Sequence, residues 1–259
     1  MSTARNIGGE DLGQVTSIRQ VGFAAFMGAM IEWYDFFLYG LAAAVVFNQL
    51  FFPSEVPLAG TLVAFATFGV GFFFRPVGGI IFGHYGDKLG RKTILVLTLL
   101  IMGVATFLIG VLPTYQSVGI LAPILLVVLR IFQGIGVGGE WGGAALLVVE
   151  HAPADRRGFF GSWPQMGSSA GNLLAAGSFA AVSALPEEQF LAWGWRIPFL
   201  ISAILIAVGL FIRLKIAETP AFNRMKEAGA EARMPVVDAV RTYPKSILLV
   251  IGMRVSENA

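Results

Sequence analysis

Five charged side chains lie inside apolar stretches of this sequence that are long enough to cross a lipid bilayer. Glu32 and Asp35 lie in the first stretch, Arg75 in the second, and Arg130 and Glu140 in the fourth. An unpaired charge in hydrocarbon costs about 2.5 kcal/mol or more, so such residues face one another or a polar cavity. At roughly 1.5 Å per helical residue, Glu32 and Arg75 lie at similar depths, near 16 and 12 Å. The charges therefore predict a polar path through a helix bundle, and a static Glu32–Arg75 pair is the alternative.

The glycine-rich stretch RIFQGIGVGGEWGGA, residues 130–144, contains the G-x-G-x-x-G spacing of a dinucleotide-binding turn. Such a turn follows a short strand and opens a soluble amphipathic helix, whereas Gly134 lies inside an apolar run that extends in both directions. Gly134, Gly138 and Gly142 instead repeat at i, i+4, the spacing that lets one membrane helix approach another closely. We interpret these glycines as a packing surface.

The composition indicates a membrane protein. Of the 259 residues, 56% are hydrophobic and 13% are charged, which is too apolar for a soluble domain. The chain has no cysteine and only two histidines, so neither a metal site nor a cofactor is expected. Since no nucleophile or phosphate-binding loop lies outside the apolar stretches, a soluble enzyme is disfavoured.

The apolar pattern predicts six membrane-spanning helices, each close to or above the roughly 20 residues that a bilayer requires. The predicted spans are 21–50, 58–83, 93–112, 120–149, 159–184 and 195–213. A cytoplasmic tail (1–20) precedes this bundle (21–213), and a polar linker (214–244) and the start of a seventh helix (245–259) follow it. Basic residues concentrate in alternate connections, in the tail and from Arg213 through the linker, which places these on the cytoplasmic side. This asymmetry explains the net charge of +2 without nucleic acid as a partner.

The segment GHYGDKLGRK, residues 83–92, resembles the cytoplasmic signature loop of the major facilitator superfamily. The segments EWYDFFLYG, FRPVGG, RIFQGIGVGGEWGGA, WGWRIPF and ETPAF resemble its metabolite:proton symporter branch, which includes shikimate, proline-betaine and alpha-ketoglutarate permeases. The resemblance implies an all-α integral membrane protein, namely the six-helix N-terminal half, a 3+3 inverted repeat, of a twelve-helix transporter. Because the sequence ends near the start of helix seven, we expect a fragment whose partner is the missing C-terminal half.

The function implied by the resemblance is proton-coupled symport of a small organic metabolite across the cytoplasmic membrane by alternating access. A facilitated uniporter or exchanger is the alternative. The expected partners are the lipid bilayer and the small-molecule substrate, and the proton is the coupling ion. Arg75 and Arg130 would suit an organic anion, whereas Glu32, Asp35 and Glu140 would suit a zwitterion, so the substrate class stays open.

Site roles follow from positions that match the family. Asp35 matches an acid that related symporters protonate, Arg130 matches the arginine that tunes it, and Glu32 is the rival acid. Two further groups are expected. The substrate cavity is expected to contain Arg75, Gln133, Glu140, Gln165 and Asn172, although the amides could instead bond between helices. The cytoplasmic gate and signature loop are expected to contain Gly83, Asp87, Gly90, Arg91, Lys92, Glu150, Arg157 and Glu218.

Overall fold

The computed structural model describes residues 17–53, 57–216, 218, 222 and 241–250 of the chain. Six long helices, and no strand, occur in this part. α1 (Ile18–Ala42) begins at a capping box on Ser17 and continues through a π-helical turn at Ala43–Phe47 and a last turn at Asn48–Leu50. The others are α2 (Pro57–Leu89), α3 (Arg91–Val111), α4 (Leu121–His151), α5 (Trp163–Ser183) and α6 (Arg196–Leu214). Short helices at Tyr115–Val118, Ala154–Arg156, Arg157–Gly161, Glu187–Gln189 and Phe190–Gly194 lie in the connections.

The all-α membrane architecture is confirmed. By length and composition, five described helices could each cross a membrane, namely those that contain α1, α2, α3, α4 and α6. The remaining predicted span, the fifth (159–184), is present as α5, which has 21 residues but does not meet the same composition criterion. Gln165, Asn172 and several serines lower its hydropathy, and the helix nevertheless packs along α1 inside the bundle.

The helix contacts have the symmetry of the predicted inverted repeat. α1 packs mainly on α5, and α2 packs mainly on α4. The repeat relates α1, α2 and α3 to α4, α5 and α6, in that order. Under this relation, the α1–α5 interface corresponds to the α4–α2 interface. The α1–α6 interface likewise corresponds to the α4–α3 interface, and both are observed. This pattern is what two three-helix units in inverted orientation produce.

Glycines bring α2 and α4 into backbone contact. A Cβ at Gly134 or Gly138 of α4 would overlap the backbone of α2 at Gly71 and Arg75, respectively. The predicted packing surface is therefore confirmed for this pair, whereas a Cβ at Gly142 would meet nothing within 4 Å. Residues 130–144 lie inside the uninterrupted helix α4, which rules out a strand–turn–helix arrangement there.

The signature segment is helical over most of its length, and this differs from the loop expected from sequence. α2 continues to Leu89 and α3 begins at Arg91, so Gly90 alone forms the connection. Gly90 has a φ of 97°, a left-handed conformation that strains other residues. The expected loop began where the apolar run ended, but a helix can continue into water with polar side chains. Most of the predicted tail and linker, and residues 251–259, lie outside the described residues, and residues 244–250 are helical.

Candidate functional site

Four charged side chains converge on a small cavity between α1, α2, α3 and α4. Its lining includes Glu32 and Asp35 from α1, Arg75 from α2, and Arg130 and Gln133 from α4. Glu32, Asp35, Arg130 and Gln133 are each at most 4% exposed. Residues three apart share one helical face, so α1 presents both acids and α4 presents the arginine and the amide to the same space. Four of the five charges singled out in the sequence thus line one small cavity within the helix bundle, and the polar path stays a prediction.

Asp35 and Arg130 are connected through two intermediate side chains. Thr106 Oγ1 lies 2.8 Å from Asp35 Oδ2, and Gln133 Nε2 donates to Thr106 Oγ1 at 2.7 Å. Arg130 Nη1 donates to Gln133 Oε1 at 3.1 Å. Arg130, the arginine expected to tune Asp35, forms no ion pair with it in the described part of the chain. The influence of Arg130 on Asp35 therefore passes through space and through Thr106 and Gln133.

The Thr106 hydroxyl can satisfy Asp35 in either protonation state. Thr106 Oγ1 has one hydrogen to donate and two candidate acceptors, Asp35 Oδ2 at 2.8 Å and the Met102 carbonyl oxygen at 3.0 Å. With Asp35 ionised, Thr106 donates to the carboxylate. With Asp35 protonated, the carboxyl can donate to Thr106, which then donates to Met102, because a hydroxyl oxygen accepts two hydrogen bonds. A proton on Asp35 Oδ2 can thus be accommodated by rotation of the Thr106 hydroxyl, and a proton on the unpartnered Oδ1 leaves this hydrogen bond unchanged.

Aromatic rings hold both cavity arginines. The Arg130 guanidinium carbon lies 4.1 Å from the Tyr39 ring centroid and 4.8 Å from that of Phe68. The Arg75 guanidinium carbon lies 4.5 Å from the Phe72 centroid and 5.0 Å from that of Phe36. A cation over a ring face is stabilised by the ring quadrupole. Both side chains are therefore oriented by stacking contacts.

The two arginines differ in their hydrogen bonding and burial. Arg130 is 4% exposed and donates to Gln133. Arg75 is only partly buried, and within the described residues it makes neither an ion pair nor a hydrogen bond. The charge of Glu32 acts on Arg75, but their side chains are not in direct contact, so the static pair considered from sequence is not formed.

Glu140 lies outside this cavity, in a second buried cluster. Its carboxylate forms an ion pair with Arg213 of α6, with Arg213 Nη1 donating to Oε2 at 2.9 Å, and Thr98 Oγ1 donates to Oε2 at 2.9 Å. Arg213 also donates to the Leu95 carbonyl. Gly28 of α1 has no side chain, and the guanidinium occupies the space that a Cβ would fill there. Two sequence interpretations are corrected here. Glu140 does not line the cavity because Arg213 engages it, and Arg213 is 4% exposed within the bundle and is not a cytoplasmic loop charge.

Gln165 and Asn172 share one face of α5, as their spacing predicts, but neither reaches the cavity. Both are exposed, while Gly167, Gly171 and Ala175 form the buried face against α1. Of the amides expected in the cavity, only Gln133 is there in the described structure.

The acidic and basic residues of the signature segment meet at one end of the bundle. Arg91 forms ion pairs with Glu150 at 3.1 Å and with Asp87 at 3.9 Å. Glu218 accepts from the backbone N–H groups of Arg91 and Lys92 at the N-terminus of α3, at 3.0 and 3.1 Å. Lys92 Nζ donates to the Leu214 carbonyl at 2.9 Å. Arg157 is exposed and forms no ion pair with a described residue, so it does not join this cluster.

Thr98, Thr106 and Arg213 were not identified from the sequence as partners of the buried acids. Thr98 and Thr106 are eight residues apart in α3, hence on one helical face, and this pattern in an apolar helix could have indicated a shared polar contact. Arg213 is followed by Leu214 and Ile216, which continue the apolar run past it.

The described residues include no group of His, Asp and Glu that could hold a metal ion.

The fold and the cavity define a helical membrane protein with two acids and two arginines on one cavity between its helices. A family model described as "Sugar (and other) transporter" matches residues 21–246. The chain belongs to this family, and its fold is that of the major facilitator superfamily.

Relatives agree with this assignment. The chain is 51% identical to the shikimate transporter of Escherichia coli over 92% of this chain and 55% of that protein. It is 41% identical to the proline/betaine transporter of Salmonella typhimurium over 95% of this chain and 52% of that protein. A crystal structure of D-xylose-proton symporter matches with a TM-score of 0.70 and 20% identity, over 93% of this chain and 56% of that chain. The chain spans about half the length of the curated relatives that it matches.

Proposed function

We propose that the chain is the N-terminal half of a secondary active transporter that couples a small organic metabolite to protons by alternating access. The observation that carries this proposal is the cavity with two acids and two arginines inside the helix bundle. Ionisable groups at this depth mark substrate and proton paths. The printed names of the relatives, transporters of shikimate and of proline and betaine, support transport as the activity. A uniporter or exchanger of the same family is the alternative.

Asp35 is the proposed coupling acid, Arg130 tunes it, and Glu32 is the rival. Asp35 Oδ1 and Glu32 Oε2 are both buried and lack a hydrogen-bond partner in the described structure, so each carboxyl has an oxygen that can take a proton. Asp35 is favoured because it alone is linked to Arg130, through Thr106 and Gln133. A movement of α4 relative to α1 would change the hydrogen bonds of this carboxyl and therefore its affinity for a proton, as coupling requires.

Arg75 and Gln133 are proposed to contact the substrate when the helices move apart, because the cavity of about 10 Å³ is too small for a metabolite in this conformation. Gln165 and Asn172 are exposed on α5, and we assign them to the same substrate path on the side that a second six-helix half would complete. This assignment needs no movement of α5, because the face that packs on α1 is separate from the face that carries the amides.

The signature-segment cluster is proposed to act as a cytoplasmic gate. Arg91 bridges α3 to α4 through Glu150, and Glu218 binds the first turn of α3, so the cluster joins segments that are distant in sequence. The Arg91–Asp87 pair is more exposed than the Arg91–Glu150 pair, and exposed ion pairs are typically worth less than about 1 kcal/mol each, so a gate built on them can open in every cycle.

Replacing Asp87 by asparagine in the full-length transporter should slow turnover and leave substrate affinity within a few-fold, because the cluster lies away from the cavity. Initial rates and binding measured on one preparation would test this. A large loss of affinity with normal turnover would contradict the gate.

The proposed orientation in the cytoplasmic membrane has the amino terminus and the linker in the cytoplasm, following the positive-inside rule. The connection that contains Gln189 then lies outside. The chain has no cysteine, so a cysteine at position 189 of the full-length protein can be labelled selectively if the other half is also made thiol-free. We expect labelling in intact cells by an impermeant maleimide. Labelling only after permeabilisation would reverse the orientation.

The experiment that tests the proposed function uses the full-length protein in proteoliposomes with a panel of radiolabelled metabolites. An inward proton gradient should drive accumulation above equilibrium, and a protonophore should abolish the accumulation. Equilibration without accumulation would identify a uniporter, and strict dependence on internal substrate would identify an exchanger.

A further inference from the structure

We propose that the substrate is a small organic anion whose carboxylate binds Arg75, so that one proton and one anion cross together without net charge. This inference rests on the proposed proton coupling, and it selects between the two substrate classes that the sequence leaves open.

Arg75 is the cavity cation with the most donors to spare. It makes no hydrogen bond or ion pair within the described residues, and its contacts are the faces of Phe36 and Phe72. These ring contacts are cation–π contacts and not hydrogen bonds to a side-chain acceptor, so the guanidinium N–H groups stay available to a ligand. The planar fork of an arginine matches the two oxygens of a carboxylate, and such charge-assisted pairs are the strong hydrogen bonds of proteins. Arg130 Nε also lacks a hydrogen-bond partner, but Arg130 is a weaker candidate because it is more buried and already donates to Gln133 through Nη1.

The formal charges of the cavity favour an anion over a zwitterion. Two acids and two arginines line it, so its net charge is zero when both acids are ionised. Protonation of Asp35 changes this to +1. A bound monocarboxylate restores neutrality, whereas a zwitterion leaves the excess charge in a low-dielectric site, where charge is costly.

The groups around Asp35 support this count. Glu32 and Tyr39 lie on its own helix, Arg75 faces it from α2 and Arg130 from α4, while α3 contributes Thr106 to it. α5 contributes no cavity-lining residue. Two further charged groups, Glu140 of α4 and Arg213 of α6, neutralise each other. Glu140, the third acid that would suit a zwitterion, therefore does not line the cavity.

The test measures uptake by the full-length protein in proteoliposomes with two probes, shikimate as a monocarboxylate and proline as a zwitterion. An inward pH gradient should drive shikimate uptake, and a potassium-diffusion potential, negative inside, should not. Arg75→Gln should raise the KM for shikimate by about tenfold or more, the effect of losing hydrogen bonds between charged groups, and Arg75→Lys should recover part of it. Arg156→Gln, at an exposed ion pair, is the matched control and should leave KM unchanged.

A second measurement avoids any variant that fails to fold. The methyl ester of shikimate lacks the negative charge and should compete at least about tenfold less well than shikimate for uptake by the wild-type protein. Equal competition by the ester would overturn the proposal. Proton-coupled uptake that responds to the membrane potential would also overturn the proposal, and so would a preference for proline over shikimate. Neither of these two results would contradict proton coupling itself. Uptake that ignores the pH gradient would instead refute the proposed function.

Discussion

Replacing Asp35 by asparagine in the full-length transporter should abolish uptake driven by a pH gradient and spare exchange of labelled for unlabelled substrate. Asparagine resembles the protonated carboxyl, and its amide can still donate to Thr106 Oγ1, which lies 2.8 Å from the native Oδ2. The network can then rearrange with its hydrogen bonds intact, but no proton is carried or released. Accumulation should fall to the equilibrium level, while the exchange rate stays within a few-fold of the wild type.

The matched control is Glu32→Gln, which removes one negative charge from the same cavity on the same helix. It should retain accumulation driven by a proton gradient, although its rate can change. If Glu32→Gln loses accumulation and Asp35→Asn retains it, Glu32 is the coupling acid and our assignment is wrong.

Breaking the buried ion pair between Glu140 and Arg213 should have the largest effect on stability. Glu140→Gln leaves the Arg213 guanidinium buried without a counter-charge, which costs about 3–5 kcal/mol in comparable buried pairs. The apparent melting temperature in detergent should therefore fall by many degrees, and the yield of folded protein should fall with it. A thermal-shift assay measures the loss.

Two controls separate the ion pair from a general loss of charge. The double variant Glu140→Gln, Arg213→Gln replaces both charges by amides that can bond to each other, and it should recover much of the loss. Arg156→Gln breaks the exposed pair with Asp155 and should cause no measurable change, because exposed pairs contribute little. A Glu140→Gln protein as stable as the wild type would show that Arg213 is neutralised in another way.

The helices and the intramembrane acids could be predicted from sequence because both depend on local patterns. Apolar runs of sufficient length define spans, and a charge within such a run must find a polar surrounding wherever the helix packs. Glu32, Asp35, Arg75 and Arg130 were located in this way, and they line one cavity. The spacing of Gly134 and Gly138 also predicts a close approach of α4 to a neighbouring helix, and the structure shows that this neighbour is α2.

The partners of these charges could not be predicted in the same way, since they depend on which helices meet. Glu140 and Arg213 are 73 residues apart, and Asp35 and Thr106 are 71 apart. Hydropathy placed Arg213 at a helix end, where arginines usually reach water, but α3 and α4 cover it. The signature segment is expected to be a loop because it resembles the signature loop of the superfamily, while its backbone remains helical to Leu89.

The measurement that tests proton coupling at Asp35 most directly is the pH change that accompanies substrate entry. Proteoliposomes with the full-length protein are suspended in weakly buffered medium without an imposed gradient, and a pH-sensitive dye reports external protons after substrate is added. The wild-type protein should make the medium more alkaline in proportion to the substrate taken up, and Asp35→Asn should not change its pH. Alkalinisation by Asp35→Asn equal to that of the wild type would contradict the assignment of the proton to Asp35.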